Sequence, residues 1–379
     1  MPLLLSAVAL LGLGLVMVAS SSISIAERQL SDPLYYFWRQ LSYSIVGVVS
    51  AFAVFKISLE FLQKTGPVLI VISMFLLMLV LVPGLGKEVN GSMRWLNLGM
   101  ISLQVSEFVK LATVIYLAGY LVRHNEEVRT KLGGFIRPLG LIFILSVLLI
   151  FEPDFGAVAV IVMTAMGMLW LGGASFFQFV LLTLTTVAAL TLAAISSPYR
   201  MERLTTFLNP WADPYNSGFQ LTQALIAFGR GEWFGVGLGS SVQKLFYLPE
   251  AHTDFVLAVL AEELGLFSVM LVIALFCFIV IRALMIGRRA EKRERPFTAF
   301  LAYGLGIWLG LQAFINVGVN MGVLPTKGLT LPLMSYGGSS LIIMCVVIAL
   351  LLRADYETRK YDRVSQNKRS SMSVGSQSW

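Results

Sequence analysis

Apolar residues fall in ten long runs separated by shorter polar stretches. The runs cover approximately Pro2–Ala19, Leu41–Phe55, Pro67–Val82, Phe108–Val122, Pro138–Ile150, Ala157–Leu171, Phe176–Ile195, Phe255–Ile281, Phe297–Val323 and Ser339–Leu352. Most approach the roughly 17–25 residues that a helix needs to cross ~30 Å of hydrocarbon. The pattern predicts an all-α integral membrane protein with ten transmembrane helices. The first run has neither a basic segment before it nor a small-residue cleavage site after it, so it reads as a retained span and not as a signal peptide.

Composition agrees. Hydrophobic residues make up 57% of the chain and charged residues 13%, against about 45–50% and about 25% in soluble domains. One membrane domain, residues 1–352, accounts for nearly the whole length. A tail over residues 353–379 is Ser-rich and polar beyond Asp362, and is expected to be disordered. The net charge of +7 does not point to nucleic acid, because the basic residues sit in short connections. They include Lys56 and Lys64, then Arg123, Arg129, Lys131 and Arg137, then Arg282 to Arg295, and finally the tail. Lys and Arg accumulate on the cytoplasmic side of membrane proteins, which predicts that both termini are cytoplasmic. Residues 24–40, 83–107, 197–254 and 324–338 then face outward, with a short turn at Glu152-Pro-Asp-Phe-Gly156. The largest, 197–254, is an extracytoplasmic loop between the seventh and eighth spans. Cys277 and Cys345 lie inside spans, which leaves neither a disulfide framework nor a zinc site.

The large loop ends on the stretch Tyr247-Leu-Pro-Glu-Ala-His-Thr-Asp-Phe255. It places Glu250, His252 and Asp254 within five residues, in a chain that has only two histidines. Titratable groups clustered at a membrane boundary mark candidate chemistry. The alternative is that Thr253 or Asp254 simply caps the helix that follows. Earlier in the loop, Phe219–Phe228 has the spacing of an interfacial helix that should end at Gly229-Arg-Gly231. Gly235, Gly237 and Gly239 follow. Their spacing is not a dinucleotide fingerprint, since no βαβ context surrounds it; tight turns that bring backbone close to a membrane surface or ligand are the better account.

Other outward features could join this cluster. Arg94, beside Trp95, is either a site cation or a membrane-edge anchor. Glu107 and Lys110 share one helical face and must point away from lipid, as a site pair or as a structural one. Lys244, Arg200 and Arg203 lie in the large loop. Lys327 precedes Ser335-Tyr-Gly-Gly-Ser-Ser340, where Ser339 and its neighbours present a helix N-terminus suited to an anion or simply a Ser-capped helix. Together these describe an outward cavity with several cations, one candidate base and lipid at its sides, which suits a phosphorylated lipid. A site facing away from cytoplasmic nucleotide must draw on an activated group in the substrate itself, such as a polyprenyl-pyrophosphate sugar. Asp254 could accept a proton from an acceptor hydroxyl while cations, or a bound divalent metal, stabilise the departing pyrophosphate.

The chain resembles the SEDS family of bacterial cell-wall polymerases over nearly its whole length. The resemblance rests on Tyr247–Phe255, Gly229-Arg-Gly-Glu232, Leu324-Pro-Thr-Lys-Gly-Leu-Thr-Leu-Pro332 and Ser335–Ser340. Lys327 and the tail start Asp355-Tyr-Glu-Thr-Arg359 favour the cell-division branch over the elongation branch. Two features depart from the family pattern: Gln104-Val105-Ser106-Glu107 lacks the usual proline, and the chain starts at Met1-Pro2 without the usual basic segment. The resemblance implies a peptidoglycan glycosyltransferase in the bacterial inner membrane, at the division septum, with its active site on the periplasmic side. It would polymerise lipid II onto a nascent strand carried by undecaprenyl pyrophosphate, beside a class B penicillin-binding protein and other division proteins. The family's essential aspartate falls on Asp254, and its fourth-span Glu and Lys on Glu107 and Lys110. Arg94, Glu107, Lys110, Arg200, Arg203, Lys244, Glu250, His252, Lys327 and Ser339 are the expected substrate contacts. Mg²⁺ or Mn²⁺ is the cofactor to consider, with no ligand set named by the sequence. A lipid II flippase and a scaffold without chemistry are the competing readings; a flippase should hold its ionisable groups near mid-membrane, where only Glu262 and Glu263 fall.

Overall fold

A computed structural model of the chain describes residues 1–89, 92–97, 102–195, 201, 205–326 and 328–375. It is mostly helical, and each predicted apolar run coincides with a helix. These are α1 (Pro2–Leu30), α2 (Tyr35–Lys56), α3 (Leu59–Val80), α4 (Val105–Arg123), α6 (Leu132–Phe151), α7 (Phe155–Leu171), α8 (Phe176–Ile195), α10 (Val256–Glu291), α11 (Pro296–Asn320) and α12 (Gly338–Gly375). Short α5 (Asn125–Thr130) and amphipathic α9 (Phe219–Gly231) are also present, with a 3₁₀ turn at Pro210–Ala212. Seven helices, α1, α3, α4, α6, α10, α11 and the first part of α12, are long and apolar enough to cross a membrane. The first helix runs eleven residues past the predicted Ala19, and the last continues through the polar stretch to Gly375.

Local chemistry sets several of the boundaries. Pro2 and Pro296 occupy the first turns of α1 and α11, where proline has no hydrogen bond to forfeit. Ser58 and Asp154 cap α3 and α7 by accepting from the amides of Phe61 and Ala157. Between α3 and α4, where only a loop is expected, the chain forms a three-stranded antiparallel sheet: β1 (Gly86–Val89), β2 (Ser92–Asn97) and β3 (Ser102–Gln104). Trp95 sits opposite Lys87 on one side and Gln104 on the other, and β3 runs directly into α4.

Two helices are enclosed by the rest. Eighty-three per cent of the α4 window and 72% of the α11 window are buried inside the protein, so polar side chains on α4 and α11 meet protein and not lipid. The end of the bundle away from the sheet is tied together by charge. Arg353 on α12 pairs with Glu357 at 2.8 Å and donates to the Phe55 carbonyl, while Glu357 also receives Arg295 and the Leu59 amide.

Helix α10 is broken at Gly265, whose φ of 75° and ψ of −177° lie outside the helical region. The break frees backbone groups in the interior, which must find partners. The segment Glu232–Gly237 supplies them: Val236 and Gly237 donate to the carbonyls of Glu262 and Glu263, and Leu266 and Phe267 donate to those of Glu232 and Trp233. Glycine is required on both sides, since a Cβ at Gly235 would fall 2.2 Å from the Glu263 carbonyl oxygen and one at Gly265 2.4 Å from the Gly235 nitrogen. Gly235 thus brings backbone against backbone of the chain itself, while a Cβ at Gly239 would meet nothing within 4 Å.

Candidate active site

The sheet end of the bundle gathers the helix starts at Tyr35, Val105, Phe155, Val256 and Gly338 with the loop joining α11 to α12. Asp254 lies in the turn just before α10 and is half-buried. It does not cap the helix: the cap position is Phe255, which has no side-chain acceptor. That end is satisfied from a different helix, by Asn320 Oδ1 accepting from the Ala258 amide at 3.1 Å.

What fixes Asp254 is its main chain. Its carbonyl accepts from Asn316 Nδ2 and Asn320 Nδ2, both at 2.9 Å. Asn316 also donates to the Leu329 carbonyl, and Gln312, one turn earlier, donates to that of Thr330. Gln312 Oε1 in turn receives Lys110 Nζ at 2.8 Å and the Trp308 indole at 3.0 Å. Gln312, Asn316 and Asn320 recur every four residues, so they line one face of α11. All three are buried. This stripe holds the Asp254 turn, the Leu329–Thr330 segment and the α4 ion pair in one register. It was not among the sequence candidates, although amides at i, i+4 and i+8 in an otherwise apolar span are the signal that reveals it.

The carboxylate faces Gly328. A Cβ added there would lie 3.1 Å from Asp254 Oδ2, so a glycine keeps the space beside the acid open. Around it stands an aromatic wall. The His252 ring lies 4.7 Å from Tyr36 and 5.5 Å from Tyr336, and its carbonyl accepts from the Tyr336 amide. Burial pushes the His252 pKa down more than neighbouring Glu250 raises it, and Nδ1 has no hydrogen-bond partner. The imidazole is therefore neutral near pH 7 and acts as part of the wall, not as a cation. Glu250 adopts a left-handed φ of 56° and accepts the Thr253 hydroxyl at 2.6 Å, which tightens the turn carrying Asp254. Arg39 of α2 is a cation that the sequence candidates did not include. It is gripped by the Tyr35 and Tyr43 hydroxyls at 2.8 and 2.7 Å and lies close enough to Tyr336 to act on it electrostatically.

The remaining candidates divide. Glu107 and Lys110 form a 2.9 Å ion pair, with both residues at most 3% exposed, and reach the site only through Gln312. Lys244 is buried as well: its Nζ binds Glu263 at 2.7 Å and the Ser20 hydroxyl at 3.0 Å, within the packing of the α10 break. Arg94 donates to the main-chain carbonyls of Glu152 and Pro153 and clasps the α6–α7 turn. The Ser339 hydroxyl donates to the Ser102 carbonyl and accepts from the Gln104 amide, fastening β3 to α12. Arg200, Arg203 and Lys327 lie outside the described residues. Among the described residues, no three His, Cys, Asp or Glu side chains converge on a point that could hold a metal.

Comparison with known proteins places this arrangement among relatives. The FtsW, RodA and SpoVE family, described as cell cycle protein, matches residues 1–360. A probable peptidoglycan glycosyltransferase FtsW of Nitrosococcus halophilus is 62% identical over 357 residues, which is 94% of this chain and 92% of that one. The protein of the same description from Legionella pneumophila is 57% identical, over 92% of this chain and 89% of its own. Among solved structures, a chain of a peptidoglycan synthase complex that coordinates polymerization and crosslinking superimposes with a TM-score of 0.76. It is 28% identical and covers 94% of this chain and 97% of its own. The rod shape determining protein RodA of Thermus thermophilus gives a TM-score of 0.69 at 26% identity, with 94% and 96% covered.

Proposed function

We propose, for a chain that belongs to the FtsW, RodA and SpoVE family of cell cycle proteins, that it is a peptidoglycan glycosyltransferase of cell division that polymerises lipid II, with Asp254 as its general base. The observation that carries the role of Asp254 is its main chain, fixed by Asn316 and Asn320, in a partly buried residue whose Oδ2 lies beside Gly328. A general base needs an oriented lone pair with access to the acceptor hydroxyl. In the reaction, the 4-hydroxyl of the lipid II GlcNAc loses its proton to Asp254. Its oxygen then bonds to the anomeric carbon of the growing strand, and undecaprenyl pyrophosphate leaves from the opposite face with inversion.

Ten spans with cytoplasmic termini fit this reading. The ten helices follow the ten apolar runs, and the Arg353–Glu357–Arg295 cluster lies at the end that the positive-inside rule places in the cytoplasm. The sheet end, with Asp254 and the large loop, then faces the periplasm of the septal inner membrane. Pyrophosphate departing there would meet Arg39 and the Lys327 region. If a divalent cation takes part, it would supply positive charge against the departing pyrophosphate, and Asp254 is the site carboxylate that could help to hold it. A class B penicillin-binding protein is the expected crosslinking partner, by analogy with the synthase complex that shares the fold. A flippase would need ionisable groups available at depth, whereas Lys110, Glu262 and Glu263 are each paired within the protein and Glu107 is paired through Oε1.

The test is polymerisation of labelled lipid II by purified protein with its penicillin-binding partner and a divalent cation, comparing wild type with Asp254→Asn. Glycan strands from wild type and none from a folded Asp254→Asn protein are expected. Equal strands from both would remove Asp254 from catalysis.

A further inference from the structure

The α6–α7 turn, Glu152-Pro-Asp-Phe-Gly156, contains a second pair of carboxyl groups that the reaction above does not use. Glu152 is completely buried and Asp154 is 3% exposed. Among the described residues neither Glu152 oxygen has a hydrogen-bond partner, and neither has Asp154 Oδ2; Asp154 Oδ1 is taken by the Ala157 amide. Two charged groups act on Glu152: Asp154, and Arg94 of β2. The hydrogen bonds that Arg94 makes to this turn go to the main-chain carbonyls of Glu152 and Pro153, not to the carboxyl. Two carboxylates close together in a dry site cannot both ionise without a large penalty. One proton held by the pair removes one of the charges, and the orphan oxygens of Glu152 and Asp154 are the groups that could hold it.

The turn also touches the candidate site. Gly156 packs against Leu329 so closely that a Cβ in place of its hydrogen would fall 3.0 Å from the Leu329 side chain. Leu329 follows Gly328, the residue beside the Asp254 carboxylate, and its carbonyl is held by Asn316. Moving the turn would therefore move the wall of the site.

We propose that Glu152 and Asp154 share one proton and form a latch that positions the Gly328–Leu329 wall beside Asp254. Glu152 is thus a positioning residue that acts through Leu329, and for its effect on catalysis the proposal rests on the polymerase reading. Burial, reinforced by Asp154 and opposed by Arg94, pushes the Glu152 pKa up to about 8. The sign follows. The folded state keeps a proton that the unfolded chain has lost, so the contribution of Glu152 to stability declines as pH rises from the ordinary carboxyl value of 4.5 to about 8. The latch itself opens above that range, when both groups are charged.

Infrared spectroscopy of the full-length protein in lipid nanodiscs, titrated from pH 6 to pH 10, would read the proton directly. A buried carboxylic-acid C=O band should be present at neutral pH, vanish on the alkaline side and be missing from Glu152→Gln. Asp154→Asn, which keeps a capping oxygen for α7, should shift the loss of that band to lower pH by removing the like charge. In polymerisation assays, wild-type kcat should drop about tenfold for each pH unit above the midpoint. Glu152→Gln, a neutral isostere, should keep near-wild-type kcat and lose that alkaline limb. Absence of the band from wild type at neutral pH, or a Glu152→Gln pH profile that superimposes on wild type, would overturn the latch. A wild type that polymerises nothing at any pH would sink the polymerase reading instead, while the band would still decide the shared proton.

Discussion

Asp254, in the turn just before α10, and the pair Glu262–Glu263, within the first turns of that helix, are close in sequence yet built in opposite ways. At Asp254 the scaffold holds the main chain, through Asn316 and Asn320, in a partly buried residue whose carboxylate lies beside a glycine. At Glu262 and Glu263 the scaffold takes the side chains themselves. Glu262 receives Arg230, the Ser241 hydroxyl and the amides of Val242 and Gln243; Glu263 receives Lys244 and Ser20. Both glutamates are fully buried. A carboxylate whose lone pairs are all used by the protein can stabilise a loop but cannot take a proton from a substrate. The comparison separates chemistry from architecture across the start of one helix.

The largest effect that would test this contrast is at Asp254. Asp254→Asn preserves shape and leaves the carbonyl contacts of Asn316 and Asn320 in place, so its unfolding temperature should match wild type. Polymerisation should fall by about 10²–10⁴-fold, the usual contribution of a positioned base. At Glu263 the pattern should invert. Glu263→Ala strands the Lys244 ammonium in the interior, and breaking one side of a buried pair costs about 3–5 kcal/mol. The expected result is a large drop in unfolding temperature, with the folded fraction losing far less activity than Asp254→Asn. The double variant Lys244→Met with Glu263→Leu should recover much of that stability, because it removes both charges together. If Glu263→Ala proved stable but inactive, the division between the two regions would be wrong.

Asn316→Leu tests the link between them and should have an intermediate effect. It removes the donor shared by the carbonyls of Asp254 and Leu329, and each buried group left unpaired costs about 1–3 kcal/mol. Because the reacting carboxylate would also shift, kcat should fall by roughly ten- to a hundredfold with KM little changed. A loss confined to stability would mean that Asn320 alone suffices to place Asp254.

Helix positions were legible in the sequence, each long apolar run falling on a helix, because an apolar stretch in lipid must satisfy its backbone internally. The stretch Tyr247–Phe255 stood out because titratable residues are scarce elsewhere. Which side chains face the site was not legible. Lys244, Arg94 and Ser339 were plausible anion contacts by charge and position, but Glu263, the Glu152–Pro153 carbonyls and strand β3 occupy them, and those partners lie 19 to 237 residues away. The sheet was hidden because its strands span only three to six residues. The break at Gly265 was hidden because its compensating hydrogen bonds come from the separate segment Glu232–Gly237. The Gln312–Asn316–Asn320 stripe could have been found, since an isolated amide in a span costs free energy unless something meets it, and three on one face announce a partner.

The smallest expected effect lies at the rim of the buried glutamates, where it sharpens the comparison furthest. Arg230 pairs with Glu262 at 3.2 Å, but its side chain is 42% exposed whereas that of Glu262 is fully buried. If Glu262 depended on a charge partner, as Glu263 depends on buried Lys244, then Arg230→Ala would be nearly as damaging as Lys244→Ala. Glu262 also accepts from Ser241, Val242 and Gln243, however, and hydrogen bonds from fixed donors stabilise a carboxylate without a counterion. Water can reach the Arg230 end of the pair and screen it. Arg230→Ala should therefore destabilise by about 1 kcal/mol or less, the range of exposed pairs. Ser241→Ala, which removes an internal donor, should cost about 1–3 kcal/mol. Measuring both in one thermal-unfolding series decides the point: the reverse order would mean that charge, and not the hydrogen-bonded loop, holds Glu262 in the interior.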